Sequence, residues 1–580
     1  MSAKREEGQR LGSDSAAVRM RIVRHDRPAI AVVPDADIRP VAVVIEPDDY
    51  LVVRNRVTHQ RTGKCRSSSS TEGIGAGYLV RSQVTVERVF VRSNAVLDVG
   101  RRPHSARGFE RRRVVVRCPG MKALGDKSTT VSVRDRIPAT LAQTGAIGFW
   151  LAVVLTGVST GISAAVLTRL LDLVQHLAWP GDASLLSAAT RSGPWRHLLV
   201  LSGAGVLTGL GQIVLVRLSS GNGIDTTEAI WFWAGRLPPF RTLGSAFLSV
   251  LVVGMGASIG REGAPKQAGA VIANALSDRG RFSDERRRLL VACAAGAGLA
   301  SAYGVPLGGA LFALEVMRGV LALRMVLPAL LTSLIAALVS WTALPDAPTY
   351  AIPQYVNSAS ITCWALVAGP IAGVASVGYV RLIAFSDRVR PKGRLRIVAP
   401  ILTLTALGLT SIAFPQLLGN GKDITQLAFL GRVAPPLLLG LLFLKPAATA
   451  GCLGSGVPGG LLTPSLTFGA MLGGVLGYGW SLFWPGVPAG LFALVGAAAV
   501  LAATTQGPLS SIVVVMELTG RDRSFIAPLL LAVATATLVS RSIETRSIYD
   551  ARLSNEQVLA RQKLRDQFSV EADVPARPAS

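Results

Sequence analysis

Charge is scarce in this chain. Asp, Glu, Lys and Arg together make up 16% of its 580 residues, where a soluble domain carries roughly 25%. The shortage falls hardest on the acids, 35 against 60 Lys and Arg. Cysteine is scarce too, and the five present have no paired spacing, which excludes a disulfide framework and a cysteine metal site. Of five histidines only His176 and His197 fall in the apolar part. No Ser/His, His/Glu metal or paired-acid arrangement accompanies them, so neither an enzyme nor a cofactor is expected. The Gly-rich "GSGVPGG" at 454–460 lacks the Gly-Lys-Ser/Thr ending of a phosphate-binding loop. No apolar segment follows the basic start, so a secretory signal is not expected.

What is abundant is apolar surface: half of the residues are hydrophobic and the mean hydropathy is +0.44. From Ile147 onward apolar runs recur at 147–178, 197–217, 243–258, 325–345, 361–385, 396–414 and 524–540, and a bilayer-spanning helix needs about 20 such residues. This is the pattern of a polytopic membrane protein. Other runs are short or broken by Gly and Pro, which membranes tolerate only where protein or a water-filled cavity covers the opened backbone. The connectors "GRLPPFR" (235–241), "DRGRFSDERRR" (278–288) and "DRVRPKGRLR" (387–396) are basic, whereas 341–362 and 484–490 hold no Lys or Arg. The positive-inside tendency therefore puts the basic group and both termini in the cytoplasm.

The first 120 residues stand apart, rich in Arg and Val without a helical or transmembrane pattern. Two readings of this basic, low-order extension stay open: a tail that touches anionic lipid or nucleic acid, or a stretch with no folded role, which is preferred and leaves nucleic acid out of the expected partners. Met121 is a candidate start. A lead-in at 121–144, a first membrane repeat at 145–345, a second at 346–545 and a cytoplasmic C-terminal helix and tail at 546–580 complete the expected division.

The repeats come from self-comparison. "GNGIDTTEAI" at Gly221 matches "GNGKDITQLA" at Gly419; "GREGAPKQAGA" at Gly260 lies over "GLLTPSLTFGA" at Gly460; "PLGGALFALE" at Pro306 lies over "PLSSIVVVME" at Pro508. The order is kept and the offset is nearly constant. Combined with the loop charges, the two halves start on opposite sides, an inverted repeat whose broken helices meet near mid-membrane. Asp225 with Glu228, and Asp423 with Gln426, read as capping boxes. The "GREG" and "GLLTP" segments each open a further helix. Helix starts carry unpaired N–H groups and about half a positive charge, which suits an anion.

With "GNGID", "GREGAPKQ", "GSGVPGGLLTP" and "RSIYDARL" in this order, the chain resembles the CLC family of chloride channels and chloride/proton exchangers over about 145–565. The resemblance implies an all-α polytopic fold of two inverted-topology halves with broken helices, a homodimer in the lipid bilayer of the cell membrane, and a path for chloride or a similar small anion. It makes Glu262 the gate, a tethered carboxylate that swings away when protonated or displaced. It implies anion-binding roles for Arg261 and Gly263 at an outer site, for Leu461 and Leu462 at a central one, and for Asn222, Gly223 and Tyr549 around it. Asn222 stands where the family has serine, which bears on anion preference, and Leu462 where it has phenylalanine. Val316 follows Glu315 where exchangers keep a second, proton-delivering glutamate. Valine relays no proton, so a channel is favoured over the alternative, a proton-coupled exchanger of chloride or another small anion. Glu315 and Glu517 are expected as buried structural carboxylates. A secondary transporter of organic anions is the competing class.

Overall fold

The structure is a computed structural model that describes 21–25, 27–35, 38–46, 50–54, 146–181, 184–218, 225–520, 525–550, 553 and 556–563. It divides into two units, Met1–Lys127 and Ser128–Ser580. In the first unit four strands, β1 (Arg21–His25), β2 (Arg27–Asp35), β3 (Ile38–Glu46) and β4 (Tyr50–Arg54), pair antiparallel in sequence order. No folded element was expected there. The Val- and Ile-rich segments, separated by a few residues each, suit a strand meander.

The second unit is helical. Its first half holds α1 (Ala146–Ala178), α2 (Leu185–Arg191), α3 (Pro194–Leu218), α4 (Thr226–Phe232), α5 (Pro239–Gly254), α6 (Gly263–Arg279), α7 (Asp284–Tyr303), α8 (Pro306–Leu311), which continues as a π-helix over Phe312–Arg318, and α9 (Leu323–Trp341). The second half holds α10 (Ala359–Arg388), α11 (Leu395–Ala413), α12 (Lys422–Phe429), α13 (Pro435–Ser455), α14 (Leu462–Ser481), α15 (Ala489–Thr505), α16 (Pro508–Thr519) and α17 (Ile526–Ile543). Seven helices among the described residues are long and apolar enough to cross a bilayer. The chain is therefore a multi-pass membrane protein. The apolar run at 243–258 is the shorter helix α5, and a further span, α13, carries Lys445 and Pro446 inside it.

The halves repeat each other's packing. On α1, Gly161 lies so close to α9 that a Cβ there would come 2.6 Å from the carbonyl oxygen of Ala336. On α10, a Cβ on Gly373 would come 2.6 Å from that of Ala536 on α17. Small residues at such crossings let membrane helices approach backbone to backbone. The halves also cap each other. Glu315 accepts the amides of Leu509 (3.2 Å) and Ser510 (2.7 Å) at the start of α16, while Glu517 accepts those of Leu307 (3.0 Å) and Gly308 (2.7 Å) at the start of α8. Both glutamates thus satisfy amides that a helix cannot satisfy itself.

Candidate functional site

Two helices begin where the halves meet. The turn before α6 and the turn before α14 are joined by a single antiparallel bridge: Gly260 N–H donates to Gly460 O at 2.8 Å, and Gly460 N–H to Gly260 O at 2.7 Å. Gly263 explains itself in the same way, since a Cβ there would sit 3.0 Å from the Gly460 nitrogen.

Glu262, 4% exposed, is the residue immediately before α6 and makes no cap bond to its own helix. It reaches across to the opposite half instead. Oε1 accepts the Leu462 amide at 2.6 Å, a short charge-assisted bond at the first residue of α14. Oε2 lies 3.1 Å from both the Tyr303 and Thr463 hydroxyls, each placed to donate, and these hydroxyls are 2.6 Å from each other. A carboxylate so held occupies a nest that would serve a free anion equally well: an amide and two hydroxyls at the partial positive end of a helix.

Arg261 lies beside this cluster, its guanidinium 4.8 Å from the Tyr303 ring centroid. It also lines a cleft of about 120 Å³ with Lys422, Asn420, Asp423, Asp172 and Gln175. Burial, with Arg261 adding to it, lowers the Lys422 pKa, against the opposing pull of Asp423 and Asp172. The wall of the cleft at Leu418 and Gly419 rests on Lys445, which is 2% exposed and donates to the carbonyls of Leu417 (2.8 Å), Leu418 (3.4 Å) and Gly419 (2.8 Å). Gly419 N–H in turn bonds Gly256 O at 2.9 Å, tying this turn to the one leading into Glu262.

Tyr549 belongs to a second cluster. Its buried ring packs edge-on to Phe312 at 5.6 Å and lies under the Lys266 ammonium at 4.7 Å. Lys266 stands one helical turn after Glu262, so α6 links both clusters. Next to Tyr549, Asp550 pairs with Arg561, whose guanidinium stacks on Trp231 at 4.9 Å and donates to the carbonyl of Val316 at 3.0 Å. Val316 itself is buried among apolar neighbours.

Of the sequence candidates, Glu262 and Leu462 meet directly, with Arg261, Gly263 and Leu461 adjoining them. Asn222 and Gly223 lie outside the described residues. Asp225 accepts the Thr227 amide at 2.7 Å and caps α4 as expected. Asp423 does not cap α12: the helix starts one residue earlier, at Lys422, and the Asp423 carboxylate accepts the Leu186 amide at 2.9 Å. Gln426 bonds the backbone of Ala351 and not its own helix start. Tyr303, Thr463 and Lys445 were missed. A lone lysine inside an apolar helix was a signal for the last; nothing near Tyr303 in sequence announces a partner in the other half. His197 bonds Ser411 and Ala189, a buried structural histidine.

A family profile described as voltage gated chloride channel matches residues 204–541. The voltage-gated ClC-type chloride channel ClcB of Escherichia coli O157:H7 (strain EC4115 / EHEC) is 33% identical over 409 residues, which span 68% of this chain and 96% of that one. Its counterpart in Citrobacter koseri is 32% identical over 63% of this chain and 89% of its own length. Among solved structures, a slow cyanobacterial Cl−/H+ antiporter superposes with a TM-score of 0.61 at 22% identity, covering 73% of this chain and 99% of its own. A CLC-type fluoride/proton antiporter gives 0.56 at 22% identity, over 70% and 98%. With its inverted helical halves and a carboxylate seated between two helix starts, this chain belongs to the CLC family of voltage gated chloride channels and related transporters.

Proposed function

We propose that the chain conducts chloride, or a similar small anion, through the junction of its two halves, with Glu262 as the gate. The observation that carries this is the hold on Glu262 by Leu462 N–H, Thr463 and Tyr303. The carboxylate stands where a permeating anion would be bound, and it leaves when it is protonated or when an anion takes its bonds. Weak donors in place of a contacting cation let the ion go again, as conduction requires. In this reading the backbone N–H groups around Arg261 and Gly263 and those of Leu461 and Leu462, with Asn222, Gly223 and Tyr549, are the anion-binding positions. The similarity to proteins named as chloride channels supports chloride as the ion.

Transport is channel-like in this reading, because Val316 offers no titratable group and a fixed guanidinium, Arg561, bonds its carbonyl. The second reading, exchange against protons, draws on the structural neighbours described as antiporters. The protein works as a homodimer in the cell membrane, with both termini in the cytoplasm. Liposomes containing the purified chain, followed with chloride and proton electrodes together, decide between the readings. Chloride efflux without coupled proton uptake is expected; a fixed chloride-to-proton ratio would establish the exchanger, and absence of anion flux would reject both.

A further inference from the structure

We propose that the edge of the molecule between the start of α1 and the α6–α7 connector binds one anionic phospholipid of the surrounding bilayer. A groove of about 800 Å³ lies there. One wall is apolar and faces outward, with Leu151 57% and Leu155 42% exposed in the first turns of a membrane-spanning helix and Leu276 beside them. The other wall carries Arg279, Arg281 and Arg286.

The charge balance of the connector singles out Arg279 and Arg281. Its three acids are already engaged: Asp278 by Arg287 at 2.6 Å, Asp284 by Arg236 at 3.0 Å and Arg287 at 3.6 Å, Glu285 by Arg288 at 3.0 Å and Arg318 at 2.9 Å. Arg279 and Arg281 are exposed and form no ion pair among the described residues. Arg286 holds its guanidinium 5.9 Å from the Phe149 ring centroid, at the seam between the two walls. Forked guanidinium donors match phosphate oxygens. An apolar wall running from them into the bilayer matches acyl chains, and a basic pocket at the cytoplasmic edge of membrane helices is where acidic headgroups collect. A free phosphate would use the arginines and leave the leucines idle, so the combination selects a lipid.

The test counts lipid retained by the purified full chain in detergent, by native mass spectrometry, after incubation with equal amounts of dioleoyl phosphatidylglycerol and dioleoyl phosphatidylcholine. Preferential retention of one phosphatidylglycerol per chain is expected. Each arginine near an acidic surface contributes about fivefold, so Arg279→Gln with Arg281→Gln lowers that affinity on the order of twentyfold. The double variant Arg394→Gln with Arg396→Gln, in another basic connector, leaves it unchanged. Equal retention of the two lipids by the unaltered chain overturns the proposal, and that result needs no variant to fold. Unchanged retention by the first double variant, an equal loss in the second, or displacement by millimolar inorganic phosphate overturns it as well.

Discussion

Gly260 and Gly460 exchange backbone hydrogen bonds of 2.8 and 2.7 Å, and a methyl group on either would overlap the Glu262 carboxylate. The two glycines therefore make the space in which that carboxylate sits. Gly460→Ala keeps every charge and polar side chain of the site but crowds the carboxylate out. The expected outcome is anion flux above that of the unaltered protein, with weaker dependence on acid pH, measured by chloride efflux from liposomes across a pH series. Flux and pH response equal to the parent would show that Glu262 does not block the path.

Glu262→Gln removes the negative charge and leaves the size. An amide holds Leu462 N–H less strongly than a carboxylate does, so the side chain competes poorly with an incoming anion. Flux should rise and lose its acid dependence. A variant that conducts at the parental rate with the parental pH profile would move the gate elsewhere.

Lys445→Met keeps an unbranched chain and deletes the three bonds to Leu417, Leu418 and Gly419. Each buried acceptor left open costs about 1–3 kcal/mol. The turn they belong to walls the cleft beside Arg261, so the variant should unfold at lower temperature and pass anions more slowly from that side. Sided flux measurements on oriented vesicles check this, with Lys445→Arg expected to recover part of both losses.

Glu315→Ala opens the amides of Leu509 and Ser510. Bonds to a charged acceptor are worth about 1.5–3 kcal/mol, and the variant should lose stability of that order in thermal unfolding. Glu315→Gln still offers one carbonyl oxygen and should lose less. Equal melting of all three proteins would contradict the capping role.

Much of this was legible in the residues because it depends on short-range rules. Gly-rich breaks followed by apolar runs located α6 and α14, and matched motifs at a nearly constant offset, read with the loop charges, gave the inverted halves. The glutamate before α6 stood out because nothing apolar around it could satisfy a carboxylate. The parts that escaped are partnerships at long range: Tyr303 and Thr463 meet across 160 positions of sequence, and no local pattern encodes that. Asp423 was misread because a capping sequence competes with other acceptor needs, here the open start of α2. Helix α13 escaped because Lys445 and Pro446 interrupt its apolar run, although its mean hydropathy of 1.7 equals that of α10, α11 and α17 and three carbonyls accept bonds from the lysine.

The exchange of caps between Glu315 and Glu517 has a consequence for biosynthesis. As the ribosome delivers the chain, the amides of Leu307 and Gly308 lack the acceptor they have in the folded protein until Glu517, 210 positions after Leu307, has been made. The early half must wait in an unfinished state, and the late half arrives needing Glu315. Neither insertion product is complete alone, so assembly ends in one concerted step, and severing the 344–358 linker should yield fragments that become resistant to proteases only when co-expressed.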